Sequence, residues 1–355
     1  MRVKKAAGGD PIYPLLIKFT GERVAGNSGS FREFMQRMAN DLHGAQLSLL
    51  IKAPAGAYGR NKGKWIINPA RFDFAVYKQY EFLGTLFALA IRSDVPLPLD
   101  ILPSFWKCLA GCPLSSSDLA DCDFLLDTRL QELKRLGDED EFDEYVLQHG
   151  LTYSMHTLLG EERAVPRPAG ASDGPHALLR FADRHAYIKA ATHQRLLELS
   201  NPPAFEAMRK GFRSILPLEL LAGLERMVCG YPHIDLAYLR QHTTYASGLT
   251  PNDAHVEAFW AVLAEFSQEE LRKFVKFAAN QERLPADSGT DVHQPPLPMK
   301  IAQPDPDESQ ANADQRWIRA ETCMFMLKLP RYSSKDILRT RLLQAMATRD
   351  DPLVG

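Results

Sequence analysis

The chain has 355 residues, 45% of them hydrophobic and 24% charged, with a formal net charge of −2. That length is about twice a usual single domain and predicts two compact units with real cores. The near-neutral balance excludes a broad electrostatic grip on nucleic acid or anionic membrane. No apolar run approaches the roughly 20 residues of a membrane span.

In chain order, the opening Met1 to Pro11 carries basic residues without an apolar stretch, which does not read as a secretory signal. Leu15, Leu16, Ile17 and Phe19 read as a strand, and Gly21 to Gly29 as a glycine-rich turn. A helix is predicted over Phe31 to Leu42. A mostly buried one follows over Ala75 to Ile91, ended by Asp94-Val95-Pro96. From residue 113 to 150, Leu119, Phe124, Leu125, Leu130, Leu133 and Leu136 alternate with acids, which predicts an acidic helical subdomain. Its run Asp138 to Glu141 reads as a solvated turn. Residues 164 to 176 are a loop by composition. Helical periodicity returns over Leu178 to Leu199 and Leu216 to Val228, and Ser247 to Asn252 punctuates the chain at a domain boundary.

Beyond it two helices are predicted, Val256 to Phe266 and Glu269 to Ala279. Ser267 and Glu270 have the spacing of a capping box for the second. Residues 286 to 315 read as a long mobile insertion in which Met299 to Ile301 can form a short strand. Met324 to Leu329 is β-like, and a helix closes the chain over Lys335 to Ala347, with Ser333 and Asp336 as a second capping box.

The five cysteines are Cys108, Cys112, Cys122, Cys229 and Cys323. An odd, scattered set predicts reduced thiols and an intracellular place, cytoplasmic and/or nuclear. Cys108, Cys112 and Cys122 lack a fourth ligand nearby, so no metal and no cofactor is expected. There is no phosphate loop, no H-E-x-x-H pair and no G-x-S-x-G elbow. Cys323 stands apart, at the junction of the polar insertion and a β-like run. Taken alone, a cysteine there reads first as a buried strand residue, and second as a thiol that a large partner can reach.

Residues 316 to 334 resemble the end of a HECT ubiquitin ligase catalytic lobe. The motif is Thr322-Cys323, a short strand, then Leu329-Pro330-Arg331-Tyr332-Ser333-Ser334 with a terminal helix. Eight further strings match in the family's order: Phe19-Thr20-Gly21-Glu22, Gly29 to Phe34, Tyr80 to Gly84, Leu151 to Ser154, Phe205 to Phe212, Thr243-Thr244-Tyr245, Phe259-Trp260 and Arg283-Leu284-Pro285. The Asn280 to Arg283 variant resembles the very large HECT ligases, of which this would be the C-terminal part. The pattern is already under way at residue 1, which predicts a further helix upstream.

The resemblance implies an α+β, bilobal HECT domain. Its mainly helical N-lobe would be 1–247, with an inserted E2-binding subdomain at 113–176. A hinge at 248–252, with Gly248 and Pro251, would lead to a smaller α/β C-lobe at 253–355 containing the flexible insertion 286–315. It implies an E3 that accepts ubiquitin from an E2 (the ubiquitin-conjugating enzyme) as a thioester on Cys323 and passes it to a lysine of a protein substrate. One thioester is exchanged for another of similar energy, so positioning does most of the work. Neither nucleic acid nor membrane is an expected partner. Thr322 and Glu321 join Cys323 as catalytic candidates. The family usually has His where Glu321 stands, and a neighbouring carboxylate raises a thiol's pKa. Glu321 can instead help deprotonate the incoming lysine or simply face solvent. The residue two beyond the cysteine is commonly Asn and here is Phe325. These departures leave open a HECT-fold binding module that has lost transfer. Leu353 would take the place of the family's aromatic near the C-terminus. For the E2 surface the apolar candidates are Leu133, Phe142, Tyr145, Val146 and Tyr153; each singly reads first as subdomain core, and together they should include the groove.

Overall fold

A computed structural model describes residues 2–5, 15–18, 28–44, 46–53, 61–70, 73–166, 177–217, 223–285, 298–304 and 310–348. Helices and small sheets are mixed, as an α+β reading requires. The chain forms two compact units. One comprises 1–40, 87–98 and 223–355; the other comprises 41–86 and 99–222. Among the described residues no helix is long and apolar enough to cross a membrane.

The second unit is mostly helical. Its tightest feature is the crossing of the Phe74–Ser93 and Pro202–Arg213 helices through Gly84 and Gly211. A Cβ on Gly211 would stand 1.7 Å from the Glu81 carbonyl oxygen, and one on Gly84 would stand 1.9 Å from that of Met208. The Thr85 hydroxyl donates to the Gly211 carbonyl at 3.3 Å across the same crossing. Here glycine is required by the approach of two backbones.

The acidic subdomain has its own core of Leu119, Leu130, Leu133, Phe142, Val146 and Tyr153 with Leu179, Tyr187 and Ala191. The acid run is not the solvated turn expected of it. Asp138 caps the Glu139–His149 helix by accepting from the Asp140 and Glu141 N–H groups, and Glu139, Asp140 and Glu141 fill the first turn. Carboxylates there meet unpaired N–H groups and the positive end of the helix dipole. The predicted 178–199 helix begins later, at Arg184, after a short 3-10 turn. Of the predicted 216–228 helix only Leu224–Cys229 is helical, while 218–222 lie outside the described residues.

Arg195 sits inside this unit, its side chain 5% exposed, ion-paired with Asp123 at 3.0 Å and Glu198 at 2.8 Å. It also donates to the His156 carbonyl at 2.6 Å. Arg195→Leu should lower stability by about 3–5 kcal/mol, because it strands two buried carboxylates. The check is the denaturant midpoint at unchanged slope.

In the first unit a four-stranded sheet runs in the order Thr244–Tyr245, Lys300–Ala302, Met326–Lys328, Arg319–Glu321. The first three strands are parallel, and the last is antiparallel to its neighbour. The helices Ala254–Ala264, Gln268–Ala279 and Lys335–Thr348 contribute Val256, Phe259, Trp260, Phe274, Val275, Leu338 and Leu342 to the core around Ile301, Phe325 and Leu327. The Ser267 capping box is present, with the Ser267 N–H donating to Glu270 at 2.8 Å. The second box is not. Ser334 caps the last helix, its Oγ accepting from the Ile337 N–H at 3.3 Å, while Ser333 bonds through its hydroxyl and N–H to Asp314. Within the expected insertion, Lys300–Ala302 is a strand and Gln310–Gln315 a helix; 286–297 and 305–309 lie outside the described residues.

Candidate functional site

Cys323 lies in a hairpin. The strands Arg319–Glu321 and Met326–Lys328 pair antiparallel, with Met326 opposite Glu321, so Thr322 to Phe325 is a four-residue connection. Its first three residues form a 3-10 turn, and Phe325 closes it in the left-handed region at φ 47° and ψ 45°. Left-handed backbone is rare for a bulky side chain. Here it is held by burial, Phe325 being 1% exposed in the core. Asn would tolerate that conformation more readily than Phe does.

The turn is braced on several sides. Leu327 and Leu329 are fully buried, anchoring the strand that leaves it. Tyr332 donates through its hydroxyl to the Arg316 carbonyl at 2.7 Å, and Ser333 holds Asp314. The Leu329 to Ser333 motif therefore secures the chain as it enters the hairpin. Arg32, from the Ser28–Leu42 helix, donates through Nη2 to the Thr322 carbonyl. That contact joins positions 290 apart in sequence. Glu321 is exposed and faces Lys328 at 3.5 Å. Met324, next to the cysteine, is 51% exposed.

The other thiols are in different settings. Burial first of all pushes the Cys108 thiol up to about 12 and the Cys122 thiol up to about 11. Thiols held so high are poor nucleophiles at neutral pH. Cys229 is also buried, and Cys112 is exposed. Among the described residues no group of three or more His, Cys, Asp or Glu is arranged to hold a metal.

The remaining candidates fall in three places. Leu133, Phe142, Val146 and Tyr153 are 0–2% exposed in the subdomain core; Tyr145 is half-buried and stacks on His149 with ring centroids 4.2 Å apart. At that burial the first four shape the subdomain from within. Among the subdomain's described residues the exposed large apolar side chains are Phe124, Leu125, Leu147 and Leu159, Leu147 at 69%. Periodicity alone did not separate these two groups. Gly248, at φ 75°, and Pro251 lie in a loop between the Thr244–Tyr245 strand and the Ala254–Ala264 helix. Both of those elements belong to one unit, so the loop is a connection inside it. Leu353 lies outside the described residues. Arg32, Lys328 and the left-handed Phe325 were given no role by the sequence. Arg32 alone had a signal, as the cation inside the Gly29 to Phe34 string.

The sequence pattern of the HECT-domain (ubiquitin-transferase) family matches residues 37–351. The chain is 43% identical to the human "Probable E3 ubiquitin-protein ligase HECTD4", covering 99% of this chain and 9% of that protein. It is 29% identical to mouse "E3 ubiquitin-protein ligase HERC2" over 93% of this chain and 7% of that one. To human "E3 ubiquitin-protein ligase HACE1" it is 25% identical, over 94% and 35% respectively. The chain thus spans about a third or less of these relatives' lengths.

Proposed function

Because the chain belongs to the HECT-domain (ubiquitin-transferase) family, we propose that it accepts ubiquitin from an E2 as a thioester on Cys323 and passes it to a lysine of a protein substrate. The observation that carries this reading is the hairpin, which holds Cys323 at its turn while both flanking strands are tied into the core. The Cys323 thiolate attacks the E2–ubiquitin thioester carbonyl, and the E2 thiolate leaves and takes up a proton. The substrate amine then attacks the new thioester, forming the isopeptide bond and returning the Cys323 thiol. A free thiol is required at each turnover, which suits a reducing, intracellular compartment.

In this reading an N-lobe within 1–247 and a C-lobe of 253–355 with the Thr244–Tyr245 strand close and open between the two steps, the Arg32–Thr322 contact belonging to the closed arrangement. The pivot lies ahead of Thr244, because the Thr244–Tyr245 strand is already paired into the sheet that carries the cysteine hairpin. Glu321, tied to Lys328, is a solvent-facing neighbour of the turn.

The E2 docks on the acidic subdomain through Leu125, Leu147 and Tyr145, supported from beneath by Leu133, Phe142, Val146 and Tyr153. Leu147→Asp should slow ubiquitin loading about tenfold or more, the loss of one interface anchor, with no change in thermal midpoint. Leu133→Ala should instead lower stability by about 2–5 kcal/mol. Single-turnover loading assays alongside melting curves separate the two.

The reading as a whole is tested by incubating the chain with activating enzyme, ubiquitin and a panel of E2s, then running a non-reducing gel. A thiol-sensitive adduct supports transfer. No adduct with any E2 would leave a binding module of the same fold.

A further inference from the structure

We propose that Arg32 is the positioning residue of the cysteine turn, fixing the Thr322–Cys323 peptide and keeping a positive charge one peptide group from the nucleophile. The inference rests on the reading of Cys323 as that nucleophile.

Arg32 is 2% exposed, on a helix whose Phe31, Phe34 and Met35 are likewise buried. An arginine is rarely placed at such depth unless its guanidinium is engaged. Here it reaches the Thr322 carbonyl, whose carbon is bonded to the Cys323 nitrogen. Within the turn that carbonyl accepts a long backbone bond, from the Phe325 N–H at 3.4 Å. The guanidinium is thus the stronger hold on this peptide, and Phe325 pins the other end of the turn by burial. A charge-assisted bond of this kind is worth about twice a neutral one.

The electrostatics point the same way. A cysteine that attacks a thioester must be a thiolate, and nearby cations favour that form while carboxylates oppose it. Glu321 precedes the turn, and its charge is met by Lys328 at 3.5 Å. Arg32 supplies a buried cation at the peptide that leads into the cysteine. Its flexible isostere in charge is Lys, and its isostere in shape without charge is Met.

The test is alkylation of the whole chain by iodoacetamide at pH 7, with the modified peptides mapped by mass. It uses neither E2 nor ubiquitin. Arg32→Met should slow alkylation of Cys323 about fivefold or more, in proportion to the lost thiolate, while the exposed Cys112 in the same sample reacts at its wild-type rate. Arg32→Lys should stay within about threefold of wild type, because the charge is kept. A merely structural role would loosen the turn and leave Cys323 reacting as fast as before, or faster; that result overturns the proposal. If Arg32→Met does not fold, Arg32→Lys decides it, and a fall in Cys323 reactivity as large as fivefold in a folded Arg32→Lys overturns it. A slowed Cys323 in a chain that never carries ubiquitin would sustain the positioning role and refute the transfer reading. The converse result would do the opposite.

Discussion

Gly211→Ala should lower the melting transition of its unit by roughly 6–12 °C, the equivalent of about 3 kcal/mol in a domain of this size. The added methyl would lie 1.7 Å from the Glu81 carbonyl oxygen and 2.7 Å from its carbon, with the Thr85 nitrogen 3.0 Å away. No rotamer change relieves a clash between backbones, so the two helices must separate along their length. That places the effect at the upper end of overpacking penalties. Gly84→Ala, which meets the Met208 carbonyl at 1.9 Å, should behave alike. Gly137 is the control: a Cβ there meets nothing within 4 Å, and Gly137→Ala should leave the transition in place. An unshifted melt for Gly211→Ala would mean that the helices do not cross at this point.

The largest effect on activity belongs to Cys323→Ala. Substrate modification should fall to background, a loss of about a thousandfold or more, since the covalent intermediate cannot form. E2 binding and the melting transition should be unchanged, because the turn is held by Phe325, Arg32 and the paired strands. Cys323→Ser should load slowly and give an oxygen ester that resists thiol. Retained transfer in Cys323→Ala would move the nucleophile to another thiol, of which Cys112 is the exposed one.

Local signals in the sequence translated well. Ser267 and Glu270 are three residues apart and bond each other, so the start of their helix was legible without tertiary information. The Thr322-Cys323 and Leu329 to Ser333 motif located a short strand, which begins at Met326 and not at Met324 because Thr322 to Met324 form a 3-10 turn; the hairpin and its bracing by Tyr332 were not in the sequence reading. Reading failed where two neighbours compete for one role. Ser333 and Ser334 are chemically equal, and Asp314, distant in sequence, takes Ser333 and leaves Ser334 to cap. The acid run from Asp138 has the composition of a turn, yet the unpaired N–H groups of a helix start are what it satisfies.

Other features were invisible for physical reasons. Helical spacing tells which residues share a face and not whether another element covers it. Leu133 and Phe142 were therefore indistinguishable from Leu147 until the core was seen. A phenylalanine gives no hint of left-handed backbone, because only its burial in the folded unit makes that conformation tolerable. The Arg32 contact spans 290 positions, and no pattern in one sequence announces it.

The most direct measurement is to load the wild-type chain with ubiquitin, digest it without reductant and locate the adduct by mass. Ubiquitin's C-terminal glycine should be found on the peptide carrying Cys323, released by thiol and missing from Cys323→Ala. An adduct on Cys112 or on a lysine alone, with Cys323 unmodified, would contradict the assignment of the nucleophile and the mechanism built on it.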